Sequence, residues 1–63
     1  MKGQIKSFNP KHGYGFITAE DGEEYFFHIL QFKGVDKPQA GMWVLFSIIE
    51  TKKGMRAKNV RRI

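Results

Sequence analysis

The sequence predicts an all-β fold, a small barrel of five short antiparallel strands. Three observations predict it. No segment repeats apolar residues at i, i+3, i+4 and i+7 for long enough to support a helix of three turns. Short runs rich in aromatic and β-branched residues alternate instead with turn-forming clusters. The chain also has only 63 residues and no cysteine, so neither disulfides nor thiolate metal sites can brace it. A chain this short buries about 60% of its unfolded surface, and closing the sheet leaves few unpaired edges.

The first strand covers about Lys2 to Asn9, with Ile5 inward and Lys6 outward. Asn9-Pro10-Lys11-His12-Gly13 ends it with a cluster of turn formers. The second strand runs from about Tyr14 to Ala19, and Glu20-Asp21-Gly22-Glu23 closes a tight hairpin through its Asp-Gly pair. The third covers about Glu24 to His28. A longer irregular connection from Leu30 to Gly41 follows, carrying Gly34, Pro38 and Gly41. The fourth strand runs from about Met42 to Glu50, Lys52-Lys53-Gly54 turns the chain, and the fifth covers about Met55 to Val60. Hairpins within strands one to three and between four and five, joined by one long crossover, describe the oligonucleotide-binding (OB-fold) barrel.

Two aromatic runs, Tyr14-Gly15-Phe16 and Tyr25-Phe26-Phe27-His28, stand about ten residues apart. Strand side chains alternate between faces, so Tyr14 and Phe16 share one. Gly13 and Gly15 leave the other face empty near the strand start, which marks the aromatic face as the functional one. In the second run Phe26 and His28 share a face, and Tyr25 and Phe27 share the opposite one. A soluble domain buries only one of these, and alternation alone does not say which. Flat rings exposed on a basic surface are what nucleobases stack on.

Charge supports that reading. Eleven basic and six acidic residues give a net charge of +5. Four of the acids cluster in Glu20-Asp21-Gly22-Glu23-Glu24, whereas Lys52, Lys53, Arg56, Lys58, Arg61 and Arg62 follow Thr51 without an acid. Such a run attracts polyanions, and with the aromatics nucleic acid is the expected one. No apolar run approaches the roughly 20 residues that span a bilayer. Met1-Lys2-Gly3-Gln4 lacks the apolar stretch of a secretory signal. The expectation is a soluble cytoplasmic protein with no membrane partner.

The fourth strand is apolar on both faces. Val44, Phe46 and Ile48 fit an inner face, yet Trp43, Leu45 and Ile49 alternate with them. Either a loop or the C-terminal residues cover the second face, or it is an apolar stripe serving a partner or a homodimer. A protein-interaction barrel built on that stripe is the rival to nucleic-acid binding. Catalysis is not expected: His12 and His28 are the only near-neutral bases, no Ser-His-Asp or Cys-His arrangement is evident, and the acids cluster in a turn. Neither metal nor cofactor is expected.

With these residues in view, the chain resembles the cold-shock domain family over nearly its whole length. Gly13-Tyr14-Gly15-Phe16-Ile17 is similar to that family's first nucleic-acid-binding motif, and Tyr25-Phe26-Phe27-His28 to its second. Lys6, Phe8 and Asn9 fit its Lys-Trp-Phe-Asn stretch, and Lys53-Gly54, Ala57 and Asn59-Val60 fit its closing hairpin and strand. The resemblance implies Phe26 and His28 outward, with Tyr25 and Phe27 inward. It implies single-stranded RNA or DNA as partner. Tyr14, Phe16, Phe26 and His28 would stack on bases, with Phe8 extending the platform and His12 at its edge. Lys6, Lys11, Lys53, Arg56 and Lys58 would meet phosphates. It further implies an RNA chaperone or a regulator of transcription or translation.

The departures matter as well. Ser7 stands where the family has Trp, His12 where it usually has Lys, and Ile29 where it usually has Phe. The connection after His28 is about two residues short, which leaves Phe32 as the nearest substitute for its usual aromatic contact. Each base stack is worth roughly 1–3 kcal/mol, so these changes are expected to weaken binding.

Overall fold

Five strands close into a ring around one apolar core, and a sixth short strand rides on its rim. The computed structural model describes residues 1–63. Its strands are β1 (Lys2–Asn9), β2 (Tyr14–Ala19), β3 (Glu24–His28), β4 (Phe32–Lys33), β5 (Trp43–Thr51) and β6 (Gly54–Arg62). Their order in the sheet is β3-β2-β1-β5-β6-β4, and a β3–β6 pairing closes the ring. The consecutive pairs β1–β2, β2–β3 and β5–β6 are antiparallel, as is β1–β5. The closing contact, Phe26 opposite Arg56, is parallel. No helix is long and apolar enough to cross a membrane.

The expected five strands are present, with two additions inside the long crossover. A 3-10 turn spans Ile29–Gln31, and β4 follows it, parallel to Val60 and Arg61 of β6. This pairing explains why β6 runs past Val60: Arg61 and Arg62 also face Leu45 and Val44 of β5. Local chemistry sets the turns. Asn9 Oδ1 accepts the backbone N–H groups of Lys11 (3.0 Å) and His12 (3.2 Å). Asp21 Oδ1 accepts that of Glu23 at 2.8 Å, and Gly22 supplies the positive φ of 86° that the hairpin requires.

Ile5, Ile17, Ala19, Tyr25, Phe27, Val44, Phe46, Ala57 and Val60 form the core, with Phe27, Ile17, Val44 and Val60 fully buried. Burying each such large apolar side chain stabilises the fold by roughly 1.5–3 kcal/mol. Tyr25 keeps its ring in this core while its hydroxyl donates to Asp21 Oδ2 at 2.8 Å. That hydrogen bond, followed by desolvation and the nearby charges of Asp21 and Glu23, raises its pKa above the ordinary 10.0.

Two expectations about faces need correction. The inner side of β2 is not empty at Gly15. A Cβ there would lie 2.3 Å from the Ser7 carbonyl oxygen and 2.9 Å from the Phe27 ring, so glycine lets backbone and core close up. Phe8 is also not on the outward row. A bulge between Ile5 and Ser7 shifts the register of β1 against β2, placing Lys6 and Ser7 both outside. Alternation resumes one residue late, so Phe8 stands opposite Gly15 and stacks on Phe27 at 5.9 Å, half-buried.

Candidate nucleic-acid interface

The register of β2 against β3 builds the site. Tyr14 pairs with His28 and Phe16 with Phe26, while the intervening Gly15–Phe27 and Ile17–Tyr25 pairs face the core. Tyr25 and Phe27 are buried and His28 is exposed, so the faces fall as the resemblance implied. Phe16 is 37% exposed, and Tyr14 and Phe26 are half-buried because they lie against one another. Tyr14 stacks on Phe26 at 5.5 Å. Phe16 meets Phe26 edge-on at 5.9 Å and Tyr14 at 6.4 Å. His12 stacks on Tyr14 at 6.0 Å. Such pairs contribute about 0.5–1.5 kcal/mol each beyond area burial, so the rings hold each other in place before any ligand arrives.

Barrel closure carries this face onto β6. Because Phe26 stands opposite Arg56, and Arg56 opposite Ile49, one outward row runs Ser7–Phe16–Phe26–Arg56–Ile49 across five strands. The Arg56 guanidinium lies 4.7 Å from the Phe26 ring centroid, a cation–π contact worth about 0.5–1 kcal/mol at an exposed site. Ser7 occupies the open end of this row and adds no ring.

The other basic residues divide. Lys11 lies in the β1–β2 turn and Lys53 in the β5–β6 turn, both exposed. Lys58 borders a cleft beside Phe26, together with His28 and Gln31. Lys6 differs, since its ammonium is held by Glu24 Oε2 at 2.7 Å. Exposed ion pairs contribute only about 0–1 kcal/mol, so a phosphate can displace Glu24, but Lys6 is not a free cation. The sequence reading missed Gln31 and the position of Ile49 beside Arg56. No local pattern signals Gln31, which reaches the Asn59 backbone of β6 across 28 residues of chain, whereas Ile49 stands opposite Arg56 through the register of the β5–β6 hairpin.

The second face of β5 is uncovered: Trp43, Leu45 and Ile49 are 51%, 49% and 42% exposed. It does not form the continuous apolar stripe expected of a homodimer surface. Ser47 separates Leu45 from Ile49, and the cross-strand neighbours are cations: Lys2 and Arg61 at Leu45, Lys58 at Ser47, Arg56 at Ile49. The Lys2 ammonium also lies 5.5 Å from the Trp43 ring centroid. Two copies meeting there would oppose like charges. A larger hollow of about 600 Å³ between Phe32–Asp36 and Arg61–Ile63 lies away from the ring cluster, and its Arg62 is paired with Asp36 at 2.7 Å.

These features define a class: an OB-type barrel with interlocked aromatic rings and cations on one outer face. The family model for the 'cold-shock' DNA-binding domain matches residues 1–63. The chain is 44% identical to a cold shock-like protein of Aquifex aeolicus, over 97% of this chain and 91% of that protein. It is 37% identical to the cold shock-like protein CspC of Bacillus cereus over the full length of both. A cold shock-like protein of Thermotoga maritima is 40% identical over 97% of this chain and 96% of its own length. The chain belongs to the cold-shock domain family, and nucleic-acid binding follows from that membership.

Proposed function

We propose that this protein binds single-stranded RNA or DNA without catalysis, stacking successive bases on Tyr14, Phe16, Phe26 and His28. The observation that carries this reading is the preassembled ring cluster, with Arg56 against Phe26 and no acidic residue in the same row. Every base has a π-face, so such stacking tolerates many sequences. Lys11, Lys53 and Lys58 meet phosphates, and Lys6 does so by exchanging Glu24 for the ligand. Phe8, packed against Phe27, supports the platform from beneath and offers at most its edge.

Stacking on unpaired bases competes with base pairing, so the protein acts by keeping strands open. That action suits an RNA chaperone, or a regulator of transcription or translation through RNA structure, in the cytoplasm. The test is affinity for a labelled single strand and for a duplex of the same sequence, each at two salt concentrations. The single strand binds more tightly, and log affinity falls with log salt at about −0.7 per phosphate neutralised. Equal affinity for the duplex overturns the stacking mechanism, and a flat salt response removes the phosphate contacts.

A further inference from the structure

The outer face of β1, β5, β6 and β4 carries a second set of cations, and an irregularity in β6 creates it. Between the pairs Ser47–Lys58 and Leu45–Arg61, β5 advances two residues and β6 three. The extra residue falls at Asn59, whose φ of 51° lies in the left-handed region that asparagine tolerates. Its N–H is taken up by Gln31 Oε1 at 3.3 Å, which leaves the NH₂ of that amide free. The bulge turns Val60 into the core and Arg61 outward, where unbroken alternation would reverse them.

Arg61 thereby completes a row. Lys2 of β1 and Arg61 of β6 stand on either side of Leu45, and Lys33 of β4 stands beside Arg61. All three cations are exposed, and neither ion pair of the fold involves them. The Lys33 ammonium makes only a long 3.4 Å bond to the Leu30 carbonyl oxygen. No acid stands in the row. The carboxylates at its margins are engaged: Glu20 Oε2 accepts the Lys2 N–H at 2.7 Å, and Asp36 Oδ2 holds Arg62. Arg61 and Lys33, directly side by side, repel each other until an anion lies across them.

Trp43 gives this row an aromatic neighbour. Its half-exposed indole lies two residues from Leu45 on the same face of β5, with the Lys2 ammonium 5.5 Å from the ring centroid. Hollows of about 370 and 340 Å³ flank the ring, one bordered by Gln4 and Thr18, the other by Met42 and Ile63. A planar base has room beside it.

We infer that this face binds the continuation of the strand held by the ring cluster, with phosphates on Lys2, Arg61 and Lys33 and a base against Trp43. The inference rests on the single-strand reading above and lengthens its site. Continuity favours nucleic acid over an acidic protein as the occupant. Arg56, Lys58 and Arg61 face outward in succession along β6, so cations run without a break from the Phe26 contact to the new row. Barrels of this kind hold up to about 16 nucleotides, more than the four rings engage.

The experiment uses unlabelled heptauridylate and tetradecauridylate as competitors of labelled heptauridylate, in excess over the protein so that each strand holds one copy at most. Affinities are taken across a salt series for the parent and for a Lys33→Ala, Arg61→Ala double variant, which touches neither the rings nor the core. For the parent, the slope of log affinity against log salt is steeper by about 2 for the long strand, from three added phosphates at about 0.7 each. In the double variant that difference shrinks to about 0.7, while the heptamer slope is unchanged. Trp43, the one tryptophan of the chain, is quenched by the tetradecamer and not by the heptamer. Equal slopes for the two lengths overturn the inference and leave heptamer binding standing. A slope difference that survives intact in the double variant overturns it too, by placing the added contacts elsewhere. So does Trp43 emission indifferent to the long strand. If the parent binds neither strand, the inference falls together with the single-strand function beneath it.

Discussion

Removing the ring at Phe26 probes the proposed surface at its hub. Phe26 contacts Tyr14 at 5.5 Å, Phe16 at 5.9 Å and the Arg56 guanidinium at 4.7 Å. Phe26→Ala removes one base stack, worth roughly 1–3 kcal/mol, and frees Arg56 from its orienting partner. At 1.4 kcal/mol per decade, affinity falls about 5- to 150-fold. Phe16→Ala removes a stack without disturbing Arg56, so its loss is smaller. The fold is also affected, because two aromatic pairs at about 0.5–1.5 kcal/mol each disappear, together with a cation–π contact of about 0.5–1 kcal/mol. Phe26→Ala is therefore destabilised by about 1.5–4 kcal/mol, while the nine-residue core is untouched. The assay is fluorescence anisotropy of labelled heptauridylate, read well below the melting midpoint after circular dichroism has confirmed the fold. If both variants are folded and bind within twofold of the parent, the rings do not form the binding surface.

Further predictions probe the ends and rim of the site and one buried hydroxyl. Ser7→Trp, opposite Phe16 on the outward row, adds a ring where none exists and tightens binding about fivefold or more. Unchanged affinity in the same titration places the strand's path elsewhere. Glu24→Gln releases Lys6 from its 2.7 Å ion pair. Thermal stability then changes by less than about 1 kcal/mol, while low-salt affinity rises and the salt slope steepens by up to about 0.7; an unaltered slope rules Lys6 out as a phosphate contact. Tyr25 makes stability fall at alkaline pH. Its folded pKa lies above the unfolded value, so the contribution of its bond to Asp21 is whole below about pH 10 and is lost as pH climbs through the folded value. Denaturant melts against pH show this decline, and Asp21→Asn makes it shallower.

Much of this site is legible in the chain because strand alternation is local. Tyr14, Phe16 and the Tyr25–His28 run announce two strands, and Asp21-Gly22 announces the hairpin that puts them in register. What escapes is set by partners distant in sequence. The bulge at Lys6 arises between β1 and β2, and one extra residue there turns Phe8 toward Phe27 and Ser7 outward. No periodicity within residues 2–9 contains that shift. β4 has two residues and forms only by pairing with Val60 and Arg61 of β6, far along the chain, so a pattern-based reading sees an irregular loop. The contact of Arg56 with Phe26 needs the ring closure, and the free amide of Gln31 needs the Asn59 backbone within reach.

The most direct measurement is an NMR titration of the aromatic side-chain resonances with an unlabelled single-stranded heptamer. Stacked bases impose ring-current shifts on the rings they cover. The account predicts the largest shifts at Tyr14, Phe16, Phe26 and His28, smaller ones at Phe8, and little change at Trp43, which is paired with Gln4 on the β1–β5 side. Shifts concentrated at Trp43, with the four outward rings of β2 and β3 unmoved at saturation, would contradict it.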